Sequence, residues 1–142
     1  MSEKEFKNLE YGMERGMWGL PAELHDAPKN FDFVFISSLI KPGGPRTPET
    51  QWPEKTLTMT VARRTGAVTA GRSRFWPDEV SSGTVRYRTR FPVDHLRTKN
   101  NVALNGRSAL PYSVIMEIRH QAITNTPRVI SVDAAIVDRL IQ

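Results

Sequence analysis

The chain contains no cysteine. That excludes a disulfide framework, a thiolate metal site and a cysteine nucleophile, and it fits a reducing, cytoplasmic setting. No apolar run approaches the ~20 residues that a membrane-spanning helix needs, so no membrane partner is expected. Met1-Ser2-Glu3-Lys4-Glu5 is charged and leads into no apolar segment, so a secretory signal is not expected either. Histidine is scarce: His25, His95 and His120 have no partner at i,i+4, which argues against a zinc site. There is no phosphate loop, no dinucleotide fingerprint and no nucleophile elbow, and the Gly43-Gly44 pair lacks a following Lys-Ser/Thr. Asp78 and Glu79 are sequence neighbours that a strand would send to opposite faces, and Asp94-His95 is a neighbour pair rather than a dyad. We therefore expect no catalytic residue, no metal and no cofactor, and we do not expect an enzyme.

What is present is positive charge in one place. The 142 residues carry a net charge of +5. Residues 1–56 hold −2, residues 57–99 hold +6 and residues 100–142 hold +1. The middle third is mostly arginine, the better cation for planar contacts with phosphate and base edges. Basic charge gathered on one structural unit is the footprint of a nucleic-acid binder. A merely solvated basic face is the plain alternative.

The densest part is Thr84-Val85-Arg86-Tyr87-Arg88-Thr89-Arg90-Phe91-Pro92. Val85, Tyr87, Thr89 and Phe91 alternate with Arg86, Arg88 and Arg90. A period of two predicts a strand with one buried face and three guanidinium groups on the exposed one. Upstream lie Phe75 and Trp76, stopped by Pro77, and then Asp78 and Glu79, which could pair with the arginine strand.

Elsewhere the pattern predicts a helix over residues 3–15, capped by Ser2 with Glu5 and stopped by Gly16 at C′. Phe6, Leu9, Met13 and Met17 mark its apolar spacing. Trp18 follows between glycines. Asn30–Ser38 reads as a central strand ending in two hydroxyls, Ser37 and Ser38. Residues 41–56 form a long Pro/Gly-rich loop around Arg46 and Trp52. Leu57–Arg64 is a strand with one polar face, Thr65-Gly66 a turn, and Ala67–Ala70 a short strand. Asp94–Asn105 reads as polar and irregular. A helix is expected over 110–121, a short strand at Val129-Ile130, and a last helix capped by Ser131 with Val132, Ala135, Ile136 and Leu140 on its face. That helix reaches the final residue without a polar tail, which suggests a domain excised from a longer protein. With no internal repeat, residues 1–142 read as one α+β domain with a small curved sheet or barrel.

Flat faces (Tyr11, Trp18, Trp52, Trp76, Tyr87) and arginines (Arg46, Arg72, Arg74, Arg86, Arg88, Arg90) could together hold a base swung out of a duplex, stacked in an aromatic pocket. Gly16, Gly19, Ser37 and Ser38 supply the small residues and hydroxyls such a pocket needs.

Gly16-Met17-Trp18-Gly19-Leu20-Pro21, Phe33-Val34-Phe35-Ile36-Ser37, Gly44-Pro45-Arg46, Trp76-Pro77-Asp78-Glu79 and Tyr87…Arg90-Phe91 resemble, in order and spacing, the EVE domains. These belong to the PUA-like superfamily and are relatives of the YTH readers of methylated RNA. The resemblance covers roughly residues 9–130, and Trp-Pro-Asp-Glu is its most specific piece. It implies a PUA-like small curved β-barrel flanked by helices. It also implies binding of double-stranded DNA carrying a modified base, such as 5-methylcytosine, by base flipping. Such domains serve modification-dependent restriction systems, often with a fused or associated nuclease. On this resemblance Trp18 is the first wall of the aromatic cage, and Ser37 and Ser38 line the pocket floor. Trp76 matches the family run and packs the barrel closed or joins the pocket with Tyr87. Trp52 is the second wall by position. The sequence departs from the pattern at Arg88-Thr89, where relatives carry a proline and a second aromatic, which leaves ring count and base preference open. Two other readings stay open: a modified-RNA-binding PUA-like module, and a protein or small-ligand interaction domain.

Overall fold

The computed structural model describes residues 3–37, 56–103, 111–124 and 126–142. The elements run α1 (Glu3–Arg15), β1 (Met17–Leu20), β2 (Phe33–Ser37), β3 (Thr56–Arg64), β4 (Thr69–Ala70), α2 (Pro77–Ser82), β5 (Thr89–Ala103), α3 (Tyr112–Thr124) and α4 (Ala134–Ile141). The α+β class is as expected. Among the described residues the strands make one sheet in the order β1-β5-β3-β2, with β4 also paired to β5.

Two compact units can be distinguished. One comprises Met1–Phe33, Ala62–His95 and Pro127–Val129; the other comprises Val34–Val61, Leu96–Thr126 and Ile130–Gln142.

In the first unit, α1 ends where predicted. Gly16 has φ 69°, a left-handed conformation suited to glycine, and its carbonyl accepts from the Val93 amide at 2.9 Å. The chain therefore turns directly from helix into β1. That strand pairs antiparallel with the start of β5: Trp18 opposes Phe91 and Gly19 opposes Arg90. On the other side of β5, Thr69 opposes the same Arg90. Arg90 thus sits on a strand paired along both edges. The face of α1 that is buried is Asn8, Leu9 and Gly12, while Phe6 remains 43% exposed. A glycine is required at position 12, because a Cβ there would stand 2.5 Å from the Met17 carbonyl and 2.9 Å from Trp76 Nε1. Arg64 ties two loops of the unit together: its Nε donates to the Phe31 carbonyl at 2.8 Å and its Nη1 to the Gly66 carbonyl at 2.7 Å.

In the second unit, Leu57, Met59 and Val61 of β3 are buried, as their alternation predicts, but Thr60 on the expected polar face is buried as well. The segment Asp94–Ala103 is strand, not the irregular loop expected from its polarity. Its polar side chains are part of the pairing: Thr98 shares a 3.0 Å hydrogen bond with Thr60, and Thr58 Oγ1 donates to Asn100 Oδ1 at 3.2 Å. Cross-strand polar pairs of this kind support a ladder without an apolar signature. The last helix is capped by Asp133, whose carboxylate accepts from the Ala135 amide at 3.0 Å, rather than by Ser131. It buries Val137 and Leu140. Val129-Ile130 is not a strand.

Candidate nucleic-acid interface

The family-like run Trp76-Pro77-Asp78-Glu79 folds into α2, with proline at the first helical position and Gly83 ending the helix at φ 72°. Asp78 and Glu79 therefore do not diverge across a strand. Both are buried, and each serves a different partner.

Glu79 is a hub. Its Oε1 accepts from the amides of Phe75 (3.0 Å) and Trp76 (3.1 Å), and its Oε2 from those of Arg86 (2.7 Å) and Tyr87 (3.1 Å). Arg90 Nη2 reaches both oxygens, at 3.3 and 3.4 Å. Burial pushes the Glu79 carboxyl up, but the four amides outweigh it and hold the group below the ordinary carboxylate value. Arg90 also donates from Nε to the Tyr87 carbonyl at 2.9 Å and from Nη2 to the Ser73 carbonyl. Its guanidinium lies 5.2 Å from the Trp76 ring centroid. The expected row of three exposed guanidiniums is thus corrected. Arg90 is 8% exposed and structural, and residues 85–88 lie ahead of β5 rather than within it.

Asp78 Oδ2 accepts from the Tyr87 hydroxyl at 2.7 Å, and Asn8 Nδ2 donates to that hydroxyl at 3.2 Å. Burial first, then the hydrogen bond to Asp78 and its charge, raise the Tyr87 pKa well above the usual phenol. Tyr87 is engaged inward and is not free to line a base pocket. Trp76, 1% exposed, is enclosed edge-to-face by Phe75 (4.9 Å), Tyr87 (5.1 Å) and Trp18 (6.3 Å). It offers no ring face to a base and is a core residue, so its place in the pocket is corrected too. Gly19 is needed beneath it, since a Cβ there would approach Trp76 Cη2 to 2.5 Å.

Of the remaining pocket residues, Trp18 is half-buried and Ser37 is buried, its hydroxyl unpartnered among the described residues. Ser38, Arg46 and Trp52 lie outside the described residues.

Arg72, Arg74, Arg86 and Arg88 are exposed. They come from two segments, 72–74 and 86–88, stitched together by the Gly71 amide donating to the Arg88 carbonyl at 2.6 Å and by Arg90 bonding a carbonyl in each. Beside Arg72 and Arg88 opens a recess of about 370 Å³, within the size range of small-molecule sites. Arg72, Val85 and Arg88 line it, and so do Gly71, Glu23 and Leu24, which the sequence did not single out. Glu23 Oε1 sits 3.4 Å from Arg88 Nη1. Its backbone is fixed next door, where the Thr89 hydroxyl donates to the Ala22 carbonyl at 2.6 Å. Only the acidity of an isolated Glu23 in a turn could have flagged it, and turns are commonly acidic.

No group of acidic or histidine side chains able to hold a metal occurs among the described residues, and no described helix is long and apolar enough to cross a membrane. Comparison with protein-family models, with curated proteins and with solved structures finds no match for this chain.

Proposed function

We propose that the chain is a DNA-binding module of the PUA-like, EVE type that recognises a modified base in a duplex, C5-modified cytosine, by flipping it out of the stack. The observation that carries the reading is the set of exposed arginines, Arg72, Arg74, Arg86 and Arg88, of which Arg86 also lies 3.8 Å from the Asp78 carboxylate. Four exposed guanidiniums come from two short segments that Arg90 and Glu79 tie to the core, so binding orders arginine side chains but not a loose backbone. Phosphate neutralisation supplies the affinity. Trp18, the half-buried ring of the expected cage, supplies a stacking face. The resemblance adds the setting, a specificity module acting with a nuclease in modification-dependent restriction.

The test is a binding panel of otherwise identical duplexes carrying plain, 5-methylated and 5-hydroxymethylated cytosine or methylated adenine, with single-stranded RNA as competitor. The reading expects one modified duplex to bind more tightly than the plain one and to resist the RNA. Equal binding of all duplexes, or preferential loss to RNA, sinks it; the second outcome favours an RNA-binding module, because flipping is needed only for a duplex.

A further inference from the structure

We infer that Glu23 and Arg88 form a sequence-reading pair that selects a G·C base pair, in one fixed orientation, next to the modified base. This rests on the DNA-binding reading above. The starting point is an electrostatic anomaly. Glu23 places a carboxylate beside Arg88 and in the same recess as Arg72, where it lowers attraction for phosphate. A side chain 55% exposed is not there to stabilise the core, and an exposed ion pair contributes little to folding. The carboxylate has a use if it accepts a hydrogen bond from the nucleic acid.

The geometry states which one. Arg88 Nη1 and Glu23 Oε1 lie 3.4 Å apart and side by side, with side chains that are respectively 57% and 55% exposed, at a recess about 370 Å³ in volume. In the major groove, guanine presents two adjacent acceptors, N7 and O6, that match the arginine fork, and its partner cytosine presents the N4 donor that a glutamate accepts. O6 and N4 are themselves hydrogen-bond partners, so they stand next to each other as Arg88 and Glu23 do. An A·T pair puts the adenine amine between its two acceptors, which sets a donor against the guanidinium fork. The recess walls are compatible with a close approach. Leu24, Ala70 and Val85 give the recess its apolar surface. Arg88 thereby becomes a base reader, while Arg72, Arg74 and Arg86 remain phosphate contacts.

The test uses duplexes with a constant modified base and each of the four base pairs at the flanking positions, measured with the wild-type chain, Glu23→Ala and Arg88→Ala. The wild type should prefer one G·C orientation by about tenfold. Glu23→Ala should tighten binding of the disfavoured duplexes, where the carboxylate only repels phosphate, and weaken binding of the preferred one, where it loses the cytosine N4 hydrogen bond, so that most of the preference disappears; a carboxylate that makes no base contact would tighten all the duplexes when removed. Arg88→Ala should lose preference and affinity together. A wild type that favours the modified base but ignores its flanks, or a Glu23→Ala protein with the preference intact, overturns the assignment and leaves the DNA reading standing. Failure to bind any duplex overturns both.

Discussion

The Arg90 guanidinium lies 3.3 Å from the Glu79 carboxylate, with Glu79 wholly buried and Arg90 nearly so. The ion pair is not isolated, because Glu79 also collects four backbone amides and Arg90 two carbonyls. It therefore joins α2, the 72–74 segment, residues 86–88 and β5 through two side chains.

Breaking that pair should be costly from either side and more so from the acid. Arg90→Met leaves a buried carboxylate that still has its amides, a loss of about 3–5 kcal/mol. Glu79→Ala strands both the guanidinium and the four amides, so its loss should exceed that of Arg90→Met. Urea unfolding midpoints of the two variants check the order. Equal or reversed costs would mean the amides find other partners.

Stability should fall at both ends of the pH scale. Glu79 has its carboxyl lowered in the folded state, so its contribution is present above its ordinary value of 4.5 and is lost as pH falls through the folded value. Tyr87 has its phenol raised, so its contribution is full below 10.0 and is lost as pH rises toward the folded value. Thermal melts across pH should show Glu79→Gln flattening the acid limb and Tyr87→Phe flattening the alkaline one.

The salt dependence of duplex binding should single out the exposed arginines. Replacing Arg72 and Arg74 together by glutamine should reduce the slope of log K against log salt by about 2, near 0.9 per lost phosphate contact.

The two tryptophans should separate cleanly. Trp76→Ala removes a fully enclosed ring and should cost about 3–5 kcal/mol in stability whatever its effect on DNA. Trp18→Ala should cost less, because its ring is only half-buried, and should abolish the preference for modified over plain duplex. Equal loss on both probes would remove Trp18 from base recognition.

Periodicity placed α1, β3 and α3 to within a few residues, because the spacing of apolar residues marks the element even where it does not mark every buried position. It misplaced the docking face of α1. Asn8 and Gly12 are buried for hydrogen bonding and close approach, neither of which has a hydrophobic signature. It missed the far half of β5, whose Thr98 and Asn100 pair across the sheet. The candidate site was legible in its cations but not in its acid. Arg72, Arg74, Arg86 and Arg88 stand out by density, whereas Glu23 meets Arg88 only because β1 and β5 pair and carry the following turn alongside.

The sequence by itself determined the α+β class, the concentration of arginine in the middle third and the absence of any thiol chemistry, since composition and local spacing need no partner. Tertiary structure alone decided which arginines face solvent. Strict alternation made Arg86, Arg88 and Arg90 look equivalent. Arg90, flanked by strands on both sides and met by a carboxylate from α2, is drawn inward, because a buried Glu79 demands a buried counter-charge. Arg86 and Arg88, ahead of the strand, stay outside.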